Sequence, residues 1–241
     1  INPSWLNFFP LAKNHHELYP WLTPLAFETF NFDQYDVVIS VTSAEAKAII
    51  TGPKTLHLCY CLTPTRYLWS HQKHYFADPI LGFWLRLWHQ RLQADDLIYS
   101  QRPDQYIAIS QTVQARIKRY YHHDSQVIFP PVDTQKFIYS PAREYYLVVS
   151  RLVSYKRIDL AIKACNQLQE KLIIVGTGRE LKALKKISGP TIKFVGLVSE
   201  EKLINFYQHC RALIMPQEED FGIASVECQA SGKPVIAFQK G

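Results

Sequence analysis

The sequence predicts an α/β chain with two parallel sheets, and three observations carry that expectation. Beyond residue 140, short β-rich runs alternate with helical patterns at every step, and strands separated by helices pair in parallel through right-handed crossovers. The first 140 residues repeat the alternation more loosely. Composition changes at the same place, because those 140 residues hold 24 of the 32 aromatic side chains, all five Trp and eight of the nine His. Two domains are expected, 1–140 and 141–241. The prolines of Phe129-Pro130-Pro131 through Ser140-Pro141, which fix φ and remove donors, read as the linker.

In chain order, the first part offers strands at Val37–Val41, Leu56–Tyr60, Tyr106–Ile109 and Val127–Phe129, with helices near 44–50, 79–99 and 111–121. It reads as a Rossmann-like half without its opening strand. Segment 79–92 mixes Phe83, Trp84, Leu87 and Trp88 with Arg86 and Arg91. That pattern reads first as a helix covering the core, and secondly as a basic amphipathic segment that can lie on a lipid surface. The second part gives strands at Tyr145–Val149, Leu172–Val175, Ile192–Val195, Ala212–Met215 and Val235–Phe238, separated by helices at 157–168, 178–187, 199–208 and 222–230. This is a second Rossmann-like sheet, covered on both faces. Ser199 reads as a helix N-cap, and Lys202 three residues on closes no capping box.

Composition excludes several classes. The 241 residues are 47% hydrophobic and 20% charged, with nine Gly and 14 Pro, which is a globular balance and neither fibrous nor disordered. No apolar run approaches the ~18 residues a membrane span needs. Ile1-Asn2-Pro3-Ser4-Trp5 has neither the basic head nor the apolar core of a signal peptide, so a cytoplasmic protein is expected. A first residue Ile and an end at Gly241, directly after a strand-like run, read as a fragment of a longer protein. Five Cys with no C-x-x-C pair fit reduced thiols, and Cys59-x-Cys61 reads as core packing. No ligand set at metal spacing is in view. The net charge of +6 is spread over helices, with 15 Lys and Arg against 10 Asp and Glu after residue 140, so no nucleic-acid platform emerges.

The most informative stretch runs from Pro216 through Glu219-Asp220-Phe221-Gly222-Ile223 to Glu227. It follows a strand and opens a helix, where free N–H groups and the positive helix end favour an anion. Glu219 in the loop and Glu227 two turns into the helix can both look into one pocket, where carboxylates accept sugar hydroxyls. By residue type alone, a helix cap and a solvated helix charge explain the pair equally well. Ser150-Arg151-Leu152 through Lys156 also lies just past a strand end. Arg151 with its planar fork and Lys156 as a point charge could clamp a diphosphate, whereas Arg157 reads as a solvated helix-start residue. Gly176-Thr177-Gly178 is better explained as a tight turn than as a dinucleotide fingerprint, since position 181 is Leu. In the first part, the loop from Cys59 to Trp69 would present Arg66 and Tyr67 to an acceptor. His57, between apolar neighbours in a strand, reads as a core histidine.

Taken together, Ser150-Arg151-Leu152 with Lys156, Glu219 spaced from Glu227 as E-x7-E, and Pro131-Val132-Asp133 followed by Phe137 resemble glycosyltransferase family 4, the retaining GT-B enzymes. Pro24-Leu25-Ala26-Phe27-Glu28 and the Cys59–Trp69 loop are similar to a mannosyltransferase-like branch. The resemblance implies two Rossmann-like domains, the first on the acceptor side and the second binding the nucleotide-sugar. Arg151 and Lys156 would neutralise the departing diphosphate, Glu219 with Asp220, Phe221, Gly222 and Ile223 would hold the donor sugar, and Glu227 would take the ribose hydroxyls. It further implies a hexosyltransferase of polysaccharide biosynthesis with GDP-mannose as the expected donor, a glycan or lipid-linked acceptor and no metal. Peripheral contact with the inner membrane face is a separate expectation, from segment 79–92. Relatives often carry His where this chain has Leu62. Two alternatives stay open: a GT-B nucleotide-sugar 2-epimerase, and a non-catalytic sugar-nucleotide-binding subunit, which Leu62 suggests.

Overall fold

Every strand pairing in the computed structural model is parallel. The structure describes residues 4–10, 12, 19–70, 72, 76 and 81–240. Its contacts divide the chain into two units, Ile1–Phe129 and Pro130–Gly241. The division precedes position 140 because segment 130–141 packs on the second unit. Phe137 meets Tyr207 edge to face at 6.0 Å, Lys136 pairs with Glu200 at 2.8 Å, and Lys233 donates to the Ser140 carbonyl while lying over the Tyr139 ring.

In the second unit, β5 (Tyr146–Val149), β6 (Leu172–Val175), β7 (Ile192–Gly196), β8 (Ala212–Met215) and β9 (Val235–Ala237) lie in the order β7-β6-β5-β8-β9. The chain builds outward from β5 in one direction and then returns to build in the other. Right-handed crossovers therefore put the first two helices on one face and the last two on the opposite face. The period-2 strands sort their side chains accordingly. Val148, Leu172 and Ile174 pack under α5 (Ile158–Leu168) and α6 (Leu181–Lys186) with Ile162 and Leu184. Leu147, Val175 and Leu213 pack under α7 (Glu200–His209) and α8 (Ile223–Ala230) with Tyr207 and Cys228. Ser199 caps α7 through the Lys202 N–H. α6 is shorter than the predicted helix 178–187, because Gly178 and its neighbours form a turn held to the preceding loop.

The first sheet runs in sequence order: β1 (Val37–Thr42), β2 (Leu56–Cys61), β3 (Gln105–Ala108), β4 (Ser125–Val127). The fourth strand lies before the predicted Val127–Phe129. The predicted helix 44–50 is a 3-10 turn at Glu45–Ala48. Sequence reading missed α1 (Leu22–Glu28) and took Arg66–Trp69, here α2, for loop. α3 occupies Leu81–Tyr99, and positions 79 and 80 of the predicted helix lie outside the described residues. In the second half of α3 Leu92 and Asp96 are buried, while Phe83, Leu87 and Trp88 in the first half are 62%, 63% and 48% exposed. α4 (Gln111–Tyr121) starts from a Ser110 cap that accepts from the Val113 N–H.

Sequential strand order puts every right-handed crossover on one face of the first sheet. Strand β1 shows the consequence, since polar Ser40 and Thr42 are buried while Ile39 and Val41 are each 61% exposed. Ser40 pairs with His57 Nε2 at 2.8 Å and Thr42 accepts from the Ala44 N–H at 2.9 Å. The same unit also holds a buried polar cluster. Lys47 Nζ meets Asp96 at 2.5 Å, Thr65 at 3.1 Å and the Ala44 carbonyl at 2.8 Å. Trp69 Nε1 donates to the other Asp96 oxygen at 2.7 Å, and the Thr65 N–H donates to the Tyr121 hydroxyl at 3.1 Å. Removing one partner of such a pair typically costs about 3–5 kcal/mol, because a buried charge is left uncompensated.

His57 sits in the sheet interior with Nε2 at 2.8 Å from Ser40 Oγ, while Asp104 accepts from its backbone N–H rather than from the ring. Burial pushes its pKa down to about 4, a smaller pull from Asp104 opposing. The folded state therefore binds the proton less readily than the unfolded chain, and the contribution is present above the ordinary pKa of 6.5 and lost as pH falls towards 4. Between pH 7.5 and pH 5 the wild type should lose about 2 kcal/mol more stability than His57→Gln, read from urea midpoints. Equal losses in the two proteins would disprove this.

Candidate functional site

Strands β5 and β8 are neighbours whose helices leave for opposite faces, so a crevice opens at their carboxyl ends where ligands bind in doubly wound sheets. Loop 150–157 follows β5 and loop 216–222 follows β8. Lys156 and Glu219 bridge these loops, Nζ to Oε2 at 2.5 Å, with side chains 12% and 25% exposed. Gln217 Nε2 donates to the same Glu219 oxygen at 3.0 Å, and the Asp220 N–H reaches the other at 3.4 Å. Burial pushes the Glu219 carboxyl up. The Lys156 charge and the bonds from Lys156, Gln217 and Asp220 outweigh it and hold the carboxyl below its usual range.

Backbone, more than side chains, sets the shape of the first loop. Gly176, at φ +126°, and Gly178 lie against the backbone of Ser150 and Leu152 so closely that a Cβ on either would run into the carbonyl oxygen of Ser150 or of Leu152. Leu152 N–H donates to Thr177 at 2.9 Å and Glu180 N–H to Leu152 at 3.0 Å. The Gly-Thr-Gly turn thus braces the loop carrying Arg151 and Lys156. That loop ends at Arg157, left-handed at φ +48° and paired with Asp159 at 3.2 Å, the solvated helix-start position expected of it. In the second loop, Gly222 has φ +81°, and a Cβ there would press on Glu219 Cγ and Met215 Cε at 3.3 Å. Only glycine meets both demands while α8 begins at Ile223.

The structure brings Lys156 and Glu219 together, and Asp220 joins them through its backbone. Arg151 is exposed and donates to the Tyr155 hydroxyl at 2.7 Å. Phe221 and Gly222 are half-buried, and Ile223 is 47% exposed at the head of α8. Glu227 stands half-buried one turn further on, with no ion pair or hydrogen bond to the Lys156–Glu219 pair among the described residues. Sequence reading missed Gln217 and Tyr155. Their signal was position alone, Gln217 two residues before Glu219 and Tyr155 beside Lys156. No group of three or more His, Cys, Asp or Glu able to hold a metal occurs among the described residues, nor does a helix long and apolar enough to cross a membrane.

In the first unit, Arg66 opens α2 half-buried. Tyr67 donates to Glu45 at 2.5 Å. Burial first, then the Glu45 charge, raises its hydroxyl pKa well above the ordinary value. Glu45 also lines a cavity of about 380 Å³ at the carboxyl end of β1, walled by Leu6, Ala26, Phe27, Phe30 and Thr42. Tyr67 therefore reaches that cavity through Glu45.

Residues 133–241 match the family described as Glycosyl transferases group 1. Over 108 residues the chain is 33% identical to a GDP-mannose-dependent monoacylated alpha-(1-6)-phosphatidylinositol monomannoside mannosyltransferase of Corynebacterium glutamicum, covering 38% of this chain and 28% of that protein. Its fold is similar to sucrose-phosphate synthase from Thermosynechococcus elongatus at 18% identity, with a TM-score of 0.68 over 97% of this chain and 63% of that one. It is likewise similar to Anabaena HepE in complex with UDP and glucose at 19% identity, with a TM-score of 0.63 over 86% of this chain and 60% of that one. The chain spans less than half the length of the curated relatives it matches. Two parallel α/β sheets with these neighbours are the GT-B fold.

If the Lys156–Glu219 bridge holds the two loops together, Lys156→Met and Glu219→Gln should be non-additive. A double-mutant cycle on urea stability should return a coupling of about 0.5–3 kcal/mol. A coupling of zero would show that the bridge joins nothing.

Proposed function

We propose that the chain belongs to a retaining glycosyltransferase that moves a hexose, mannose first among them, from a nucleotide-sugar to a glycan or lipid-linked acceptor. One observation carries the reading: within the segment matched by Glycosyl transferases group 1, Lys156 and Glu219 join the loops after β5 and β8 at the strand-order reversal. As the bond from the anomeric carbon to the diphosphate breaks, negative charge gathers on the leaving group and positive charge on the sugar. Lys156 and Arg151, with the first-turn N–H groups of α8, meet the former, and Glu219 faces the latter. Glu227 takes the ribose hydroxyls, and Arg66 and Tyr67 serve the acceptor side in the first unit. Mannose and GDP are favoured by the corynebacterial relative's name. With two cations and a helix end at the leaving group, no metal is needed.

Peripheral membrane contact belongs to the same proposal, because α3 exposes Phe83, Leu87 and Trp88 beside the exposed Arg86 and Arg91. Leu87→Glu should weaken sedimentation with anionic vesicles, and undiminished binding would remove this part.

The test of the activity is product analysis with the full-length protein, GDP-mannose and UDP-glucose, with and without EDTA. Transfer to an acceptor that survives chelation is expected; isomerised donor, binding without turnover, or loss of activity rescued by a divalent cation would each overturn the proposal. Arg151→Ala and Lys156→Ala should each weaken donor binding roughly ten- to a hundredfold, the loss of a charge-assisted hydrogen bond. Glu219→Gln should lower kcat, since its contact strengthens in the transition state, whereas Glu227→Gln should raise the donor KM. Wild-type constants in both would return the two carboxylates to cap and surface charge.

A further inference from the structure

Tyr207 of α7 is 0% exposed, in the core that α7 and α8 share over β8. Its ring packs edge to face on Phe137. Its hydroxyl is buried and has no hydrogen-bond partner among the described residues. For packing alone a Phe would serve better, since a buried hydroxyl without a partner is destabilising. The neighbouring polar group is the Glu227 carboxylate, on the helix packed against α7. Burial first and then the Glu227 charge raise the hydroxyl's pKa, so it remains a proton donor at any physiological pH. Glu227 in turn has no ion pair among the described residues that would fix its direction. Donor and acceptor stand close enough for a bond towards Glu227 to add to that rise, although the pair falls short of full hydrogen-bond geometry.

We propose that Tyr207 is the positioning residue for Glu227, its hydroxyl holding one carboxylate oxygen so that the other faces the ribose hydroxyls of the donor nucleotide. This rests on the reading of Glu227 given above. A hydroxyl in that place has two consequences that pure packing does not. It fixes one rotamer of a carboxylate that is otherwise free to turn into solvent, and it leaves the second oxygen oriented to accept from a diol. Preorganisation of this kind acts on binding and on ribose selectivity, and leaves the bond-breaking step alone.

The experiment measures binding of GDP and of 2′,3′-dideoxy-GDP to the full-length wild type, Tyr207→Phe, Glu227→Gln and the double variant by calorimetry, with thermal melts alongside. The wild type should prefer the ribonucleotide, and Tyr207→Phe should narrow that preference roughly fivefold or more, with a melting temperature equal to or above wild type and no further effect when Glu227 is already Gln. A preference unchanged in Tyr207→Phe but lost in Glu227→Gln would overturn the positioning role and leave the ribose contact standing. An unchanged preference in both variants would overturn the reading of Glu227 itself, and with it this proposal. A lower melting temperature in Tyr207→Phe with an unchanged preference would make Tyr207 a packing residue only.

Discussion

The second unit depends on one ion pair across a strand-order reversal. Neighbouring parallel strands whose helices depart to opposite faces must part their loops, and at β5 and β8 the parted loops are reconnected by Lys156 and Glu219 at 2.5 Å. The pair is three-quarters or more removed from water, so each charge relies on the other. The rest of the arrangement serves to deliver these two atoms. Gly176 and Gly178 let the turn after β6 brace the Lys156 loop by backbone contact, Gly222 gives the loop after β8 its left-handed turn, and Gln217 adds a bond to the same carboxylate oxygen.

Where local pattern and tertiary packing agreed, the sequence was readable. Leu172–Val175, Ala212–Met215 and the helix 111–121 were placed to the residue, because each is a run of uniform character between clear breakers. In the second unit the three central strands, β6, β5 and β8, are covered on both sides, so their apolar runs have a single meaning. Arg151, Lys156 and Glu219 were singled out by their place in the loops after β5 and β8, and Glu227, inside α8, by its spacing from Glu219. What could not be read was which of them touch. The Lys156–Glu219 contact spans 63 residues, and neither the tie from Arg151 to Tyr155 nor the burial of Tyr207 against Glu227 leaves a local trace.

The first unit resisted reading for a related reason. Its interior is partly polar: Lys47, Thr65, Asp96 and Tyr121 come from four separate elements and satisfy one another in a space that alternation rules assign to apolar side chains. A strand such as Val37–Thr42 then buries its Ser and Thr and exposes its Ile and Val, the reverse of what its pattern suggests. The turn of helix at Arg66–Trp69 is fixed by the same cluster, through Thr65 on one side and the Trp69 indole on the other. Nothing in four residues of sequence announces it.

The attachment of segment 130–141 bears on how such chains can be recombined. Phe137 covers the Tyr207 ring, Lys233 grips the Ser140 carbonyl and spans the Tyr139 ring, and Gly232, at φ +69°, leaves Tyr139 the room a Cβ would take. A chimera joined at 141, where composition changes, would pair one parent's strap with another parent's Tyr207 and Lys233, three contacts that must match all at once. A crossover at Pro130 transfers strap and socket as one inherited piece, so the seam that composition marks and the seam that packing marks differ by the length of a segment that looks, in sequence, like nothing more than a spacer.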